Sequence, residues 1–205
     1  MIRVRTTGHE SFRSDCGRLW DLAAAEFKPN VVVGVRSGGW WTAEAMRVAR
    51  SPQGVLFLPF TCRRPSTAAK DNSRTFKVLL KTLPYFALDL MRLVEYYLIT
   101  LPRCREARKS PSTERRVPDE AELVTIKSAV AGLAEPARVL VVDDSLDSGA
   151  TLLNVVEVLR DALPATARFN VAAYTVLGPH PVIEADFFLY RATNFRFPWS
   201  YDFHG

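Results

Sequence analysis

Apolar positions recur along the chain with two distinct periods. In residues 11–27, Phe12, Cys16, Leu19, Trp20, Ala23 and Phe27 fall at three- and four-residue spacings, which predicts an amphipathic helix stopped by Pro29. Residues 30–35 form a short continuous apolar run, the pattern of a strand buried on both faces. A turn, Arg36-Ser37-Gly38-Gly39, then leads into a helix over 40–50. Residues 54–60 predict a second core strand. Pro118-Asp119 opens a helix with a buried stripe of Leu123, Ile126, Val130 and Leu133, ended by Pro136. Arg138 to Val142 is again apolar and β-branched; Asp143 and Asp144 follow at its carboxyl end, and helical spacing resumes from Thr151 to Leu163. Residues 168–177 and 187–190 read as further strands. Strands alternating with helices imply right-handed crossovers and an α/β fold, a parallel central sheet with helices on both faces.

The connection over 61–117 is too long for a simple strand-to-helix loop. It opens with a polar, basic part carrying Arg63, Arg64, Lys70 and Arg74. An apolar part, 76–101, predicts one or two helices broken near Pro84, and a charged part, 103–116, reads as a solvated loop. Lys81, Asp89, Arg92 and Glu95 interrupt the apolar part, which argues against a membrane span. Two readings of it stay open: a helical subdomain packed on itself or across a dimer, and a helix that docks on a membrane surface or a partner.

At 205 residues the expectation is one domain over 1–205, with 61–117 inserted and 178–205 appended. The net charge of +5 suits a phosphorylated substrate. No dense basic block interleaves with aromatics, so nucleic acid is not an expected partner. Cys16, Cys62 and Cys104 are widely separated, and the first residues lack an apolar run after their charges. The expectations are therefore no disulfide framework, no zinc site, no signal peptide and a cytoplasmic protein.

Candidate chemistry concentrates in residues 138–151. A strand, a small-residue turn and a helix N-terminus make an anion site, and the adjacent carboxylates can hold sugar hydroxyls or hydrated magnesium. A phosphorylated sugar is the ligand this arrangement suggests. An ordinary strand-to-helix turn with a solvated or capping acidic pair is the plainer alternative. Residues 139–151 also resemble the phosphoribosyl pyrophosphate (PRPP) signature of the type I phosphoribosyltransferases: four apolar residues, two acidic, two variable, then Asp-Ser-Gly-Ala-Thr. Arg36 to Gly39 is similar to the family's Arg-Gly-Gly pyrophosphate loop, with Ser37 inserted. Phe197-Pro198-Trp199-Ser200 resembles the Phe-Pro-Trp-acidic ending of bacterial purine-salvage members, with Ser200 in place of the acid.

The resemblance implies a transferase that moves ribose 5-phosphate from PRPP to a nucleobase or related heterocycle, with a magnesium ion as cofactor and a homodimer as the assembly. By it, Asp147, Ser148, Gly149, Ala150 and Thr151 cradle the 5′-phosphate. Asp143 and Asp144 hold the ribose hydroxyls directly or through the metal, and Asp147 is placed to act as general base. Arg36, Ser37, Gly38 and Gly39 grip pyrophosphate, and Trp199 and Phe197 face the base from a hood over 178–205. Residues 61–74 are the candidate for the lid that excludes water. One departure bears on the acceptor. The 6-oxopurine enzymes carry a lysine after the fourth strand, whereas Thr175-Val176-Leu177-Gly178-Pro179 has none, and only His180 nearby offers a donor. That departure keeps a second reading open: a non-catalytic protein on the same fold that senses PRPP or a nucleotide.

Overall fold

A computed structural model of the chain describes residues 2–36, 38–63, 83–100 and 117–204. Ser37, most of the candidate lid, residues 76–82 and 101 of the apolar part, and the charged part 103–116 lie outside the described residues. In chain order the elements are β1 (Arg3–Thr6), α1 (His9–Glu26), β2 (Val31–Val35), α2 (Gly38–Arg50), β3 (Leu56–Phe60), β4 (Cys62–Arg63), α3 (Tyr85–Thr100), β5 (Val117–Pro118), α4 (Glu120–Ala131), β6 (Arg138–Leu146), α5 (Ala150–Ala162), β7 (Arg168–Val176), β8 (Phe187–Arg191) and β9 (Thr193–Arg196). They belong to two compact units, one of His9–Cys62 with Pro118–Ala192, the other of Met1–Gly8, Arg63–Val117 and Thr193–Gly205.

The first unit is an α/β layer structure on a five-stranded sheet of order β3-β2-β6-β7-β8, parallel throughout. Alternate residues of each strand serve opposite faces. Val31, Val33, Val35, Val139, Val141, Val171 and Ala173 join Ile126 and Val130 of α4 and Leu152, Val155, Val156 and Leu159 of α5 in one core. The opposite face packs on α1 and α2: Phe12 lies 5.2 Å from Tyr174 and Trp20 5.9 Å from Phe57, centroid to centroid. On that face Gly34 admits α2, since a Cβ there would stand 2.8 Å from the Trp40 Cα and 3.0 Å from the Ala43 Cβ. Both faces are thus covered, which is why the strands read as continuous apolar runs.

Two strand boundaries differ from the sequence expectation by more than one residue. The strand predicted over 54–60 starts at Leu56, because Gly54 takes a positive φ of 70° in the preceding turn. It is also an edge strand with half-buried residues, where Pro59 costs no ladder bond to a second neighbour. The signature strand, expected to end at Val142, continues through both aspartates to Leu146, because β7 keeps pairing with it as far as Leu146↔Val176.

The second unit was not visible as an entity in the periodicity. β1 and β9 pair in parallel from Arg3↔Thr193 to Thr6↔Arg196, joining the two ends of the described chain. α3 starts just after Pro84, where the break was expected. Its Leu88 is buried, yet Phe86, Leu90, Met91, Val94 and Tyr97 are exposed among the described residues, so much of its apolar face is open. Among the described residues no helix is long and apolar enough to cross a membrane.

A charge network holds this unit together. The Arg196 side chain is 1% exposed; it donates to Asp202 (3.0 Å), Thr6 (2.8 Å) and Asp89 (2.7 Å), and stands over the Tyr85 ring. Arg92 donates to both oxygens of Asp202 (2.8 Å each) and to the Phe195 carbonyl (3.0 Å). Burial alone would raise the Asp202 carboxyl, but hydrogen bonds and charge from Arg92 and Arg196 outweigh it and lower the pKa to about 2.

Candidate functional site

Adjacent parallel strands bring the two small-residue turns together. β2 and β6 pair from Val31↔Val139 to Gly34↔Val142, so the turn after β2 and the acidic pair of β6 leave the sheet side by side at its carboxyl edge. The β2–β6 ladder stops at Val142, whereas β6 stays paired with β7 beyond it. Asp143 and Asp144 therefore sit where the sheet splits. Here too the chain order reverses: β3 lies on one side of β2 and β6 on the other, the crevice where ligands of open α/β sheets bind.

The first turn of α2 fills part of that split. A Cβ added at Gly38 would overlap the Asp144 carboxylate, and one at Gly39 would overlap the Val142 carbonyl and stand 2.8 Å from the Asp143 Cα. Two glycines are needed because the helix start rests directly on the acidic pair. Of the four residues expected to grip pyrophosphate, Gly38 and Gly39 form this helix N-terminus, and Ser37 is outside the described residues. Arg36 lies just before it, half exposed. Its backbone N–H donates to the Phe60 carbonyl (2.9 Å), and its Nε donates to Glu122 (3.0 Å).

The signature turn has the form of an anion cradle. Gly149 caps α5 in the left-handed region at φ 75° and offers no side-chain acceptor to the helix. A long side-chain contact reaches the first turn, Ala150 N–H to Ser148 Oγ at 3.4 Å. By contrast Asp119, which caps α4, accepts from the N–H groups of both Ala121 and Glu122 (3.1 Å each). The cap residue of α5 therefore gives the first-turn N–H groups and the positive dipole end no side-chain oxygen of its own. Ser148 is exposed; Asp143, Asp144, Asp147, Ala150 and Thr151 are half-buried. Asp144 N–H donates to the Asp143 carboxylate (2.9 Å), which orients the pair.

A wall around this cradle went unnoticed in the sequence. The chain after β7 folds back onto the signature turn: Leu177 N–H donates to the Leu146 carbonyl (2.8 Å) and Val182 N–H to the Ser148 carbonyl (2.9 Å). A Cβ on Gly178 would overlap the Asp147 carbonyl, and one on Gly149 would stand 3.1 Å from Ile183. The Gly178-Pro179 dipeptide was the available signal, and it reads only as a turn. His180 in the same loop is exposed.

In the other unit, Phe197 and Trp199 are brought together, with rings parallel within 1° and centroids 4.8 Å apart. Phe197 is buried at 5% exposure, while Trp199 is half-buried. Ser200 closes the turn between them. Its Oγ accepts from the Phe197 N–H (3.1 Å), and its own N–H donates to the Phe197 carbonyl (2.9 Å).

No protein-family model and no curated protein sequence matches the chain. Solved structures do. A purine phosphoribosyltransferase from Pyrococcus horikoshii Ot3 superposes with a TM-score of 0.54 at 15% identity, over 96% of this chain and 94% of that one. The xanthine-guanine-hypoxanthine phosphoribosyltransferase of Helicobacter pylori gives 0.52 at 16% identity, over 94% and 92%. A hypothetical protein from Neisseria gonorrhoeae with bound ppGpp gives 0.53 at 12% identity, over 97% and 90%. The shared property is the fold: this chain has the architecture of the type I phosphoribosyltransferases.

Proposed function

We propose that the protein is a phosphoribosyltransferase that binds PRPP at the split between β2 and β6 and transfers its ribosyl group to a nitrogen of a nucleobase or related heterocycle. The observation that carries this reading is the pairing of β2 with β6, which sets a glycine-led helix start on each side of one acidic pair. One cradle suits a 5′-phosphate and the other a diphosphate, and the carboxylates between them suit a ribose diol.

In this reading the bond from ribose C1 to the diphosphate oxygen breaks as the acceptor nitrogen bonds to C1, and pyrophosphate leaves with the electron pair. Residues 147–151 hold the 5′-phosphate through backbone N–H groups and the hydroxyls of Ser148 and Thr151. Asp143 and Asp144 hold the ribose hydroxyls; Asp147 accepts the proton that the acceptor nitrogen gives up. Arg36, Gly38 and Gly39 stabilise the departing diphosphate, with Ser37 between them in sequence. The resemblance of the tail is what supports a base-stacking role for Trp199 and Phe197. Magnesium fits the donor set as a substrate-borne ion. Among the described residues no cluster of three or more His, Cys, Asp or Glu forms a protein-only cage, and magnesium commonly takes one or two carboxylates plus substrate phosphates. Asp143 and Asp144 are the residues that would hold it, and when bound it would neutralise diphosphate charge.

The test is release of pyrophosphate from PRPP across a panel of bases, with Asp144→Asn as the control. Turnover with one acceptor, lost in the variant, supports the reading; PRPP binding that Asp144→Asn leaves unchanged defeats the site assignment. The lysine-free loop after β7 favours a second reading, a nucleotide-sensing protein on the same fold. The Neisseria protein, whose bound ligand is ppGpp, makes that nucleotide a natural probe. Tight binding of PRPP or ppGpp with no turnover on any base would favour sensing over transfer.

A further inference from the structure

Glu122 has no place in the motifs described above, yet its carboxylate ties three parts of the larger unit together. One oxygen accepts from Arg36 Nε (3.0 Å) and the other from the Thr61 backbone N–H (2.6 Å). The residue stands third in α4 after its cap Asp119. At that position a glutamate commonly reaches back to the N–H of the cap residue, completing a reciprocal box. Here Asp119 N–H donates instead to the Thr61 carbonyl (3.0 Å), so the box is not closed. The Glu122 carboxylate is diverted across to the end of β3 and to the turn after β2. Its side chain is 19% exposed, against 49% for Arg36, so the carboxylate is the anchored partner and the guanidinium the presented one.

We infer that Glu122 is a positioning residue for the diphosphate end of the ligand. By holding Arg36 through Nε, it fixes the plane of the guanidinium and leaves the two Nη groups, which have no hydrogen-bond partner among the described residues, to grip phosphoryl oxygens. This rests on the reading of the β2 turn as a pyrophosphate loop. Arg36 has its backbone held as well, by the Phe60 carbonyl, so both ends of the residue are braced against β3 and α4. Pre-set donors lose little rotamer freedom on binding, which is what a loop that captures a leaving diphosphate requires.

A purely electrostatic role for Glu122 makes the opposite prediction. Removing its negative charge would then tighten binding of a polyanion. For a half-exposed pair that gain is small, because water screens it, whereas loss of the orienting bond is felt directly.

The experiment measures binding of magnesium pyrophosphate, PRPP and ribose 5-phosphate to the full chain by calorimetry, for the unsubstituted protein, Glu122→Gln, Arg36→Lys, Arg36→Ala and the double variant Arg36→Ala/Glu122→Gln. Glu122→Gln should weaken pyrophosphate and PRPP by about tenfold, the scale of one charge-assisted hydrogen bond, and leave ribose 5-phosphate unchanged. Arg36→Lys, which keeps the charge and the Glu122–Thr61 bond but loses the planar fork, should do the same. In the Arg36→Ala background, Glu122→Gln should have no further effect, as expected of a residue that acts through another. A folding defect would weaken ribose 5-phosphate as well and overturn the inference. So would unchanged or tighter pyrophosphate binding in Glu122→Gln. Failure of the unsubstituted protein to bind PRPP would overturn the site reading itself, and this inference with it.

Discussion

Single residues carry the constraints that the site cannot relax. Gly149 combines a left-handed backbone with close approach of Ile183, so Gly149→Ala meets both a conformational penalty and a contact at 3.1 Å. We expect it to lower stability by about 1–2 kcal/mol in urea unfolding and to weaken PRPP in the same protein. Asp202 sets a pH limit on the smaller unit. Its folded pKa, about 2, lies below the 3.8 of an ordinary aspartate, so the stability it contributes is complete above that higher value and falls away as pH drops through 2. Denaturation curves at pH 7, 4 and 2 should show this loss confined to the acid side. Arg196→Met, which removes one of the partners that depress the pKa, should shift the acid limb upward. The resemblance of the tail was readable in Phe197-Pro198-Trp199. The aspartate that locks it was not, because its arginine partners come from Arg92, 110 residues away, and Arg196.

At the level of elements, the start signals were the most legible part of the chain. Pro118-Asp119 opens α4 as read, with Asp119 accepting two first-turn N–H groups. Asp119→Ala should therefore cost about 1 kcal/mol, seen as a lowered midpoint in thermal unfolding. Element ends were less legible where a neighbour decides them. β6 outlasts its apolar run because β7 supplies ladder partners to Leu146, and a strand's length depends on its neighbour's register as much as on its own residues. The apolar face of α3 shows the same limit from the other side. Its periodicity identifies a helix, while Phe86, Leu90 and Tyr97 remain exposed among the described residues. Hydrophobic spacing specifies a face and is silent on what lies against it.

For the whole molecule, the proposed chemistry ties stability to ligand. A ligand that binds only the folded protein stabilises it by about 2.7 kcal/mol at a hundred times its Kd. In a chain of 205 residues that corresponds to a rise in Tm of about 5–10 °C. PRPP with magnesium should produce this shift in thermal unfolding. Asp144→Asn should abolish it, and free ribose should not reproduce it.

What the sequence determined by itself was the repertoire: the α/β class, the signature turn with its paired aspartates, and the glycines after β2. Each of these depends on short-range physics, namely apolar period, backbone freedom and helix-end donors, which a window of a dozen residues contains. Tertiary structure decided the composition of the site. It set Gly38 on Asp144 by pairing β2 with β6, wrapped the Gly178–Ile183 turn around Gly149, and brought Glu122 to Arg36 across 86 positions. Those contacts depend on sheet order and on which loops meet at the carboxyl edge. Strand order follows from how the whole set of apolar faces is buried at once, so no local stretch of the chain encodes it.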